Sequence, residues 1–203
     1  MIGFERYKDP KEALGFDKKE VIKNWLDSNG ITNYFITRNF MVDVYSKTDL
    51  SGKGLTELPV YIQFRKIEGS FSVAHNNLTS LRGCPHRTKA SFYCCDNQLA
   101  SLEFGPIQVV GSYIAQNNNL TSLQYLPEKI NSFSCAGNLL KTLKYIPEII
   151  TGDLYCYDNN LISITELPKI IHGDLYINFS KYKKFTIDQI RNQCRVEGTI
   201  HII

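Results

Sequence analysis

The chain has 203 residues, 43% of them hydrophobic and 21% charged, with a formal net charge of +3. These proportions suit a soluble folded protein and exclude a disordered, collagenous or coiled-coil chain. So small a positive charge does not by itself point to nucleic acid, which calls for a basic stripe or a markedly basic domain.

No window approaches the roughly 20 apolar residues that span a bilayer. The N-terminal stretch MIGFERYKDPKEALGFDKKE is charged throughout and has no apolar core of the kind a secretory signal needs. The expectation is a cytoplasmic protein whose six cysteines are reduced thiols. The Asn-x-Ser/Thr triplets at Asn77, Asn119 and Asn178 then read as accidents of repetition and not as glycan acceptors.

Residues 1–47 read as an N-terminal cap. Asp9-Pro10 can start a short helical turn. Asp17-Lys-Lys-Glu20 resembles a capping box with Asp in place of Ser or Thr. Val21, Ile22, Trp25 and Leu26 form an apolar stripe at helical spacing, and Gly30 ends the helix. Thr32–Thr37 and Phe40–Tyr45 then read as two strands of a hairpin turning at Arg38-Asn39.

Residues 48–180 are repetitive. Leu50, Leu55 and Leu58-Pro59 make a degenerate first unit. Asparagine then recurs at 76, 97, 118, 138 and 159, with leucine two residues later and Leu81, Leu102, Leu123, Leu143 or Ile164 three after that. Proline closes the units at 85, 106, 127, 147 and 168, so the period is 21, 21, 20 and 21 residues. Ahead of each asparagine lies an alternating pair: Phe71/Val73, Phe92/Cys94, Tyr113/Ala115, Phe133/Cys135 and Leu154/Cys156, with Leu175/Ile177 continuing the series. Alternation of period two places these residues on one face of short strands and their neighbours on the other.

The unit apolar-x-apolar-x-x-Asn-x-Leu-x-x-Leu resembles the leucine-rich repeat, whose units run 20–29 residues. The resemblance covers Thr48 to Asn178. The short period and the closing proline, with phrases such as GSFSVAHNNLTSLRGCP and GDLYCYDNNLISI, resemble the bacterial and tailed-phage branch of that family, in particular small phage-encoded repeat proteins. This likeness implies an α/β repeat solenoid with a parallel sheet on its concave face and little convex helix. It also implies that each asparagine amide bonds the turn backbone of its own and neighbouring units. Secreted ubiquitin-ligase effectors also carry such repeats, but they append a large helical catalytic domain for which this chain has no room.

Residues 181–203 read as a C-terminal cap. Thr186 can cap a helix with Ile187, Ile190 and Cys194 on one face, and Gly198-Thr-Ile200-His-Ile202 repeats the strand pattern 25 residues beyond Leu175/Ile177. Stacked repeats need such ends to hide the exposed core. The expectation is one structural domain with both ends capped.

Candidate chemistry is sparse. Cys94, Cys135 and Cys156 occupy inward strand positions as small core residues, and no C-x-x-C pair is present. Cys95 is expected to face outward as a free thiol. His75 and Asp96 lie one unit apart at equivalent turn positions and can approach Cys95, although solvated turn residues are the plainer reading. Asp153 and Asp174 occupy equivalent columns, but glycosidase chemistry wants a sugar cleft around such a pair. The chain has no phosphate-cradling, zinc-protease or nucleophile-elbow motif. No enzymatic activity, cofactor or metal is therefore expected.

The outward strip carries the functional expectation. It reads Ser70/Ser72/Ala74, Ser91/Tyr93/Cys95, Ser112/Ile114/Gln116, Ser132/Ser134/Ala136, Asp153/Tyr155/Tyr157 and Asp174/Tyr176/Asn178. Tyrosine is enriched at protein interfaces, so Tyr93, Ile114, Asp153, Tyr155, Tyr157, Asp174 and Tyr176 are the candidate protein-binding residues. Tyrosine also simply favours strands. The family likeness implies a host bacterial protein as partner, with modulation or inhibition as the outcome. Two alternatives stand beside it: a nucleic-acid factor using Lys181, Lys183, Lys184, Arg191 and Arg195 with Tyr182 and Phe185, and a structural or assembly component.

Overall fold

The computed structural model describes residues 17–203, so the turn expected at Asp9-Pro10 lies outside the described residues. The repeat is a solenoid. One short strand per unit joins an eight-stranded parallel sheet that runs from Thr48–Asp49 to Ile200–Ile202. Register is constant along it: Phe71, Phe92, Tyr113, Phe133, Leu154, Leu175 and Ile200 are successive partners. Each strand is only two or three residues long, because the chain must turn away at the asparagine to complete its unit. Stability therefore comes from stacking and not from strand length.

Both inward columns are sealed. Val73, Cys94, Ala115, Cys135, Cys156 and Ile177 are fully buried, as are the leucines of the turns from Leu78 to Leu161. The other column holds an aromatic series in which Phe71, Phe92, Tyr113 and Phe133 follow at centroid distances of 6.2, 5.0 and 6.0 Å. Phe64 extends the series to Trp25 of the first helix. From Leu154 onward the column is aliphatic.

The asparagines do what the resemblance implied. Asn118 Nδ2 donates to the carbonyls of Cys94, Ala115 and Gln116, and its Oδ1 accepts from Leu99 N–H at 2.9 Å. The same set recurs at Asn76, Asn97, Asn138 and Asn159. One amide thus pairs backbone groups of two units that would otherwise be buried without partners.

A second ladder closes the opposite side, where the repeat pattern alone indicated only a turn through proline. Arg87–Thr88 pairs in parallel with Gln108–Val109, Ile149–Ile150 with Ile170–Ile171, and Ile170–Ile171 in turn with Arg195–Val196, while an isolated bridge joins Ile130 to Ile150. The third residue after each proline (Thr88, Val109, Ile130, Ile150, Ile171) is buried. That column is a signal in the sequence which the leucine register overshadows.

At the N-terminal end, helix α1 (Lys18–Ser28) is capped by Asp17, which accepts from Lys19 N–H, and it buries Ile22 and Leu26. The hairpin forms as Tyr34–Ile36 against Met41–Val44. It joins the second ladder through Gln63–Ile67 and not the long sheet. At the other end, helix α2 (Ile187–Arg191) has the capping box of Thr186 and Gln189, and Ile190 and Cys194 are buried. Ile187, expected on the same apolar face, is exposed instead. With only five helical residues, α2 turns just one and a half times and presents a narrow face.

Candidate protein-binding strip

Constant register decides what the outward strip looks like. Tyr155, Tyr176 and His201 are direct partners on three adjacent strands. Parallel strands lie about 4.8 Å apart, close to the distance at which flat rings stack. The rings accordingly form a continuous pile, Tyr155 to Tyr176 at 4.7 Å and 11°, and Tyr176 to His201 at 4.3 Å and 10°. All three residues are half-buried, each ring covering the next. His201 is absent from the expected strip because the sequence places the final strand in the C-terminal cap and not in the repeat series.

The carboxylates are bound to the same pile. Tyr155 Oη donates to Asp153 Oδ2 at 3.2 Å and Tyr176 Oη to Asp174 Oδ2 at 3.4 Å. His201 Nε2 stands 3.6 Å from Asp174 Oδ2. Burial first, and then the neighbouring aspartate, raises both tyrosine hydroxyls above their ordinary pKa. The backbone N–H of Thr199, followed by His201, lowers the Asp174 carboxyl.

The other oxygen of each aspartate is structural. Asp153 Oδ1 accepts from Asp174 N–H at 2.8 Å, and Asp174 Oδ1 accepts from Thr199 N–H at 2.7 Å. Serines serve the same column earlier in the stack. Ser70, Ser91 and Ser132 Oγ accept from the N–H groups of Ser91, Ser112 and Asp153. The serine and aspartate columns are one ladder of side-chain acceptors that ties the start of each strand to the previous unit. The close approach that it accompanies needs glycine just before several of the strands: a Cβ on Gly173 would lie 2.7 Å from Gly152 O.

Tyr93, Ile114 and Tyr157 are also half-buried on this face, but in the first half of the stack several small side chains of the strip are closed over. Ala74, Ser134 and Ala136 are buried between neighbouring turns, and Ser134 bonds Gln116 Oε1 at 3.2 Å. Cys95 faces away from the core as expected but is likewise buried, at 7% exposure, and burial pushes its pKa up to about 12. Small side chains between adjacent strands are covered by their neighbours even when they point away from the core. His75, Cys95 and Asp96 do come together, with His75 Nδ1 3.3 Å from Asp96 Oδ2.

No family model matches the chain, and no curated protein matches it. Among solved structures, the chain is similar to the leucine-rich-repeat domain of a Shigella effector, with 14% identity over 96% of this chain and 94% of that one and a TM-score of 0.48. The fold assignment rests on the repeat register and the asparagine ladder, independently of that likeness.

The basic C-terminal cap is less basic than its sequence suggests. Arg195 pairs with Glu197 at 2.8 Å, and Glu197 also holds His172 Nδ1 at 2.7 Å. Lys181 lies over the Tyr182 ring, whose exposure is 80%. No helix among the described residues is long and apolar enough to cross a membrane.

Proposed function

We propose that the chain is a protein-binding module without chemistry of its own, and that its working surface is the pile of Tyr155, Tyr176 and His201 with Asp153, Asp174 and Tyr157 beside it. The observation that carries this reading is the stacked, half-exposed column of rings edged by two carboxylates. Rigid aromatic groups concentrate interface energy because they bury a large area at little entropic cost. Here the stack holds the rings in place before any partner arrives, so less freedom is lost on binding. Carboxylates along the edge favour a partner that presents lysine or arginine beside apolar surface. Tyr93 and Ile114 extend the strip toward the first half of the stack.

The setting follows from the resemblance to small phage-encoded repeat proteins: a bacterial cytoplasm, with a host protein as partner and modulation or inhibition as the outcome. The test is an affinity capture from bacterial lysate with the wild-type chain and with the Tyr155→Ser/Tyr176→Ser double variant, read by mass spectrometry. A partner retained by the wild type and lost by the variant supports the strip. A partner retained equally by both moves the working surface elsewhere on the solenoid.

A further inference from the structure

We infer that His75, Cys95 and Asp96 form a binding site for one divalent ion of the zinc class, at the end of the strip opposite the ring pile. Constant register builds it. His75 and Asp96 are one unit apart in the column where the chain leaves the strand, and His75 N–H donates to Cys95 O at 3.0 Å, which draws the two turns together. The ligand atoms, a ring nitrogen, a thiol sulfur and a carboxylate oxygen, all lie within 4.8 Å of one another.

The nitrogen–oxygen edge already has the right length. Metal–ligand bonds of about 2.0–2.2 Å at a tetrahedral angle hold nitrogen and oxygen roughly 3.3 Å apart, with a sulfur at about 2.3 Å from the ion slightly further away. His75 Nδ1 and Asp96 Oδ2 stand 3.3 Å apart. The Cys95 sulfur lies within 4.8 Å of both, and a side-chain rotation that draws it onto the ion completes three corners of the tetrahedron. The fourth corner faces solvent on the His75 side, where the side chain is 67% exposed, and falls to water or to a group from outside.

The carboxylate is oriented for this. Asn117 Nδ2 donates to Asp96 Oδ1 at 2.8 Å, leaving Oδ2 free to turn toward His75. Such outer hydrogen bonds are the usual support of metal-binding side chains. The left-handed backbone at His75 and Asp96 is not special, since Asn117, Gly137 and Asp158 in the same column share it. What is particular is the chemistry: the corresponding positions in later turns carry Asn117 with Gln116, Gly137 with Ala136 and Asp158 with Tyr157, none of which offers a soft ligand.

A thiolate and an imidazole select zinc-like ions over magnesium or calcium. Binding replaces one proton: the Cys95 S–H bond breaks, the proton passes to solvent, and the sulfur keeps the electron pair that it shares with the ion. Burial and the adjacent Asp96 carboxylate now hold that proton in place. A cation between them converts the same carboxylate from an obstacle into a co-ligand.

The experiment titrates Co2+ into the full chain after reduction and chelator treatment, with Zn2+ as competitor. The expected result is one ion per chain and a thiolate-to-cobalt absorption band with the visible bands of tetrahedral cobalt, displaced by Zn2+. Asn117→Ala weakens binding by about 10–100-fold. Cys95→Ser abolishes the charge-transfer band, and His75→Ala costs at least as much affinity as Asn117→Ala. Cys84→Ser, at a buried cysteine outside the grouping, leaves the band unchanged. Because the His75 side chain is exposed, His75→Ala decides the matter even if Cys95→Ser fails to fold. Absence of the band in wild type, its persistence in Cys95→Ser, or unchanged affinity in His75→Ala overturns the proposal.

Discussion

Tyr155 and Tyr176 stack at 4.7 Å with 11° between their planes, and each donates its hydroxyl to the aspartate two residues before it. The spacing is that of the strands which carry them, so the pile costs the backbone nothing. It also places aromatic surface on the outside of the solenoid in the units where the inside has changed from Phe and Tyr to Leu154 and Leu175. Replacing both tyrosines by serine leaves the inward columns untouched, and circular dichroism should stay near wild type. Affinity for the captured partner should fall at least ~30-fold, the equivalent of about 2 kcal/mol at a central aromatic contact. Ser72→Ala, in the same column but in the bland half, should change it little. Ser134 is unsuited as the matching control because it is buried and bonds Gln116.

Asn118→Ala should destabilise the fold strongly. The carbonyls of Cys94, Ala115 and Gln116 and the N–H of Leu99 lose their shared partner in the middle of the stack, at about 1–3 kcal/mol for each group left buried and unpaired. Asn24→Ala, on the exposed face of α1, should cost far less. Urea denaturation of the two variants measures the difference. Equal losses would mean that the amide does not carry the backbone pairing.

Tyr113→Phe should leave stability unchanged or raise it. Tyr113 is fully buried in the column otherwise occupied by Phe71, Phe92 and Phe133, and among the described residues its hydroxyl has no oxygen or nitrogen partner, only the weakly hydrogen-bonding thiol of Cys94 beside it. An unpaired buried hydroxyl costs about 1–3 kcal/mol, so its removal should raise the midpoint of denaturation. A clear drop would reveal a partner for the hydroxyl.

Native thiols should resist alkylation. All six cysteines are free and buried, and burial raises the pKa of Cys135 and Cys95 to about 12, so almost no thiolate exists at pH 8. Iodoacetamide should modify the native protein slowly and should count six thiols after denaturation, read by intact mass. Fast single labelling of the native chain would contradict the burial of these sulfurs.

The C-terminal strand should loosen in acid. Asp174 accepts from Thr199 N–H and lies beside His201, and its carboxyl is held below the ordinary value of 3.8. A carboxylate with a lowered folded pKa contributes stability above its unfolded value and loses that contribution as pH falls through the folded one. Amide exchange in Ile200–Ile202 should therefore accelerate selectively below about pH 4. Asp174→Ala should show the same acceleration at neutral pH and remove the acid step. An acid step that persists in Asp174→Ala would assign it to another group.

Much of this molecule is one-dimensional, and that part is legible in the residue order. The period of Asn118 and its equivalents, the leucines that follow them and the alternation ahead of them require a stack of short strands, because no single unit can bury its own apolar residues. The caps at Asp17 and Thr186 are local hydrogen-bonding patterns and are equally readable, although Asp17 accepts from Lys19 N–H in place of the expected box with Glu20. Tertiary structure decided whatever depends on the neighbouring turn. It buried Cys95 although its side chain points away from the core, and it turned Asp153 and Asp174 into acceptors for the next strand. It brought His201 onto the tyrosine pile across a spacing of 25 residues and made a second ladder from the residues after each proline. Alternation says which way a side chain points; only packing between adjacent turns says what covers it.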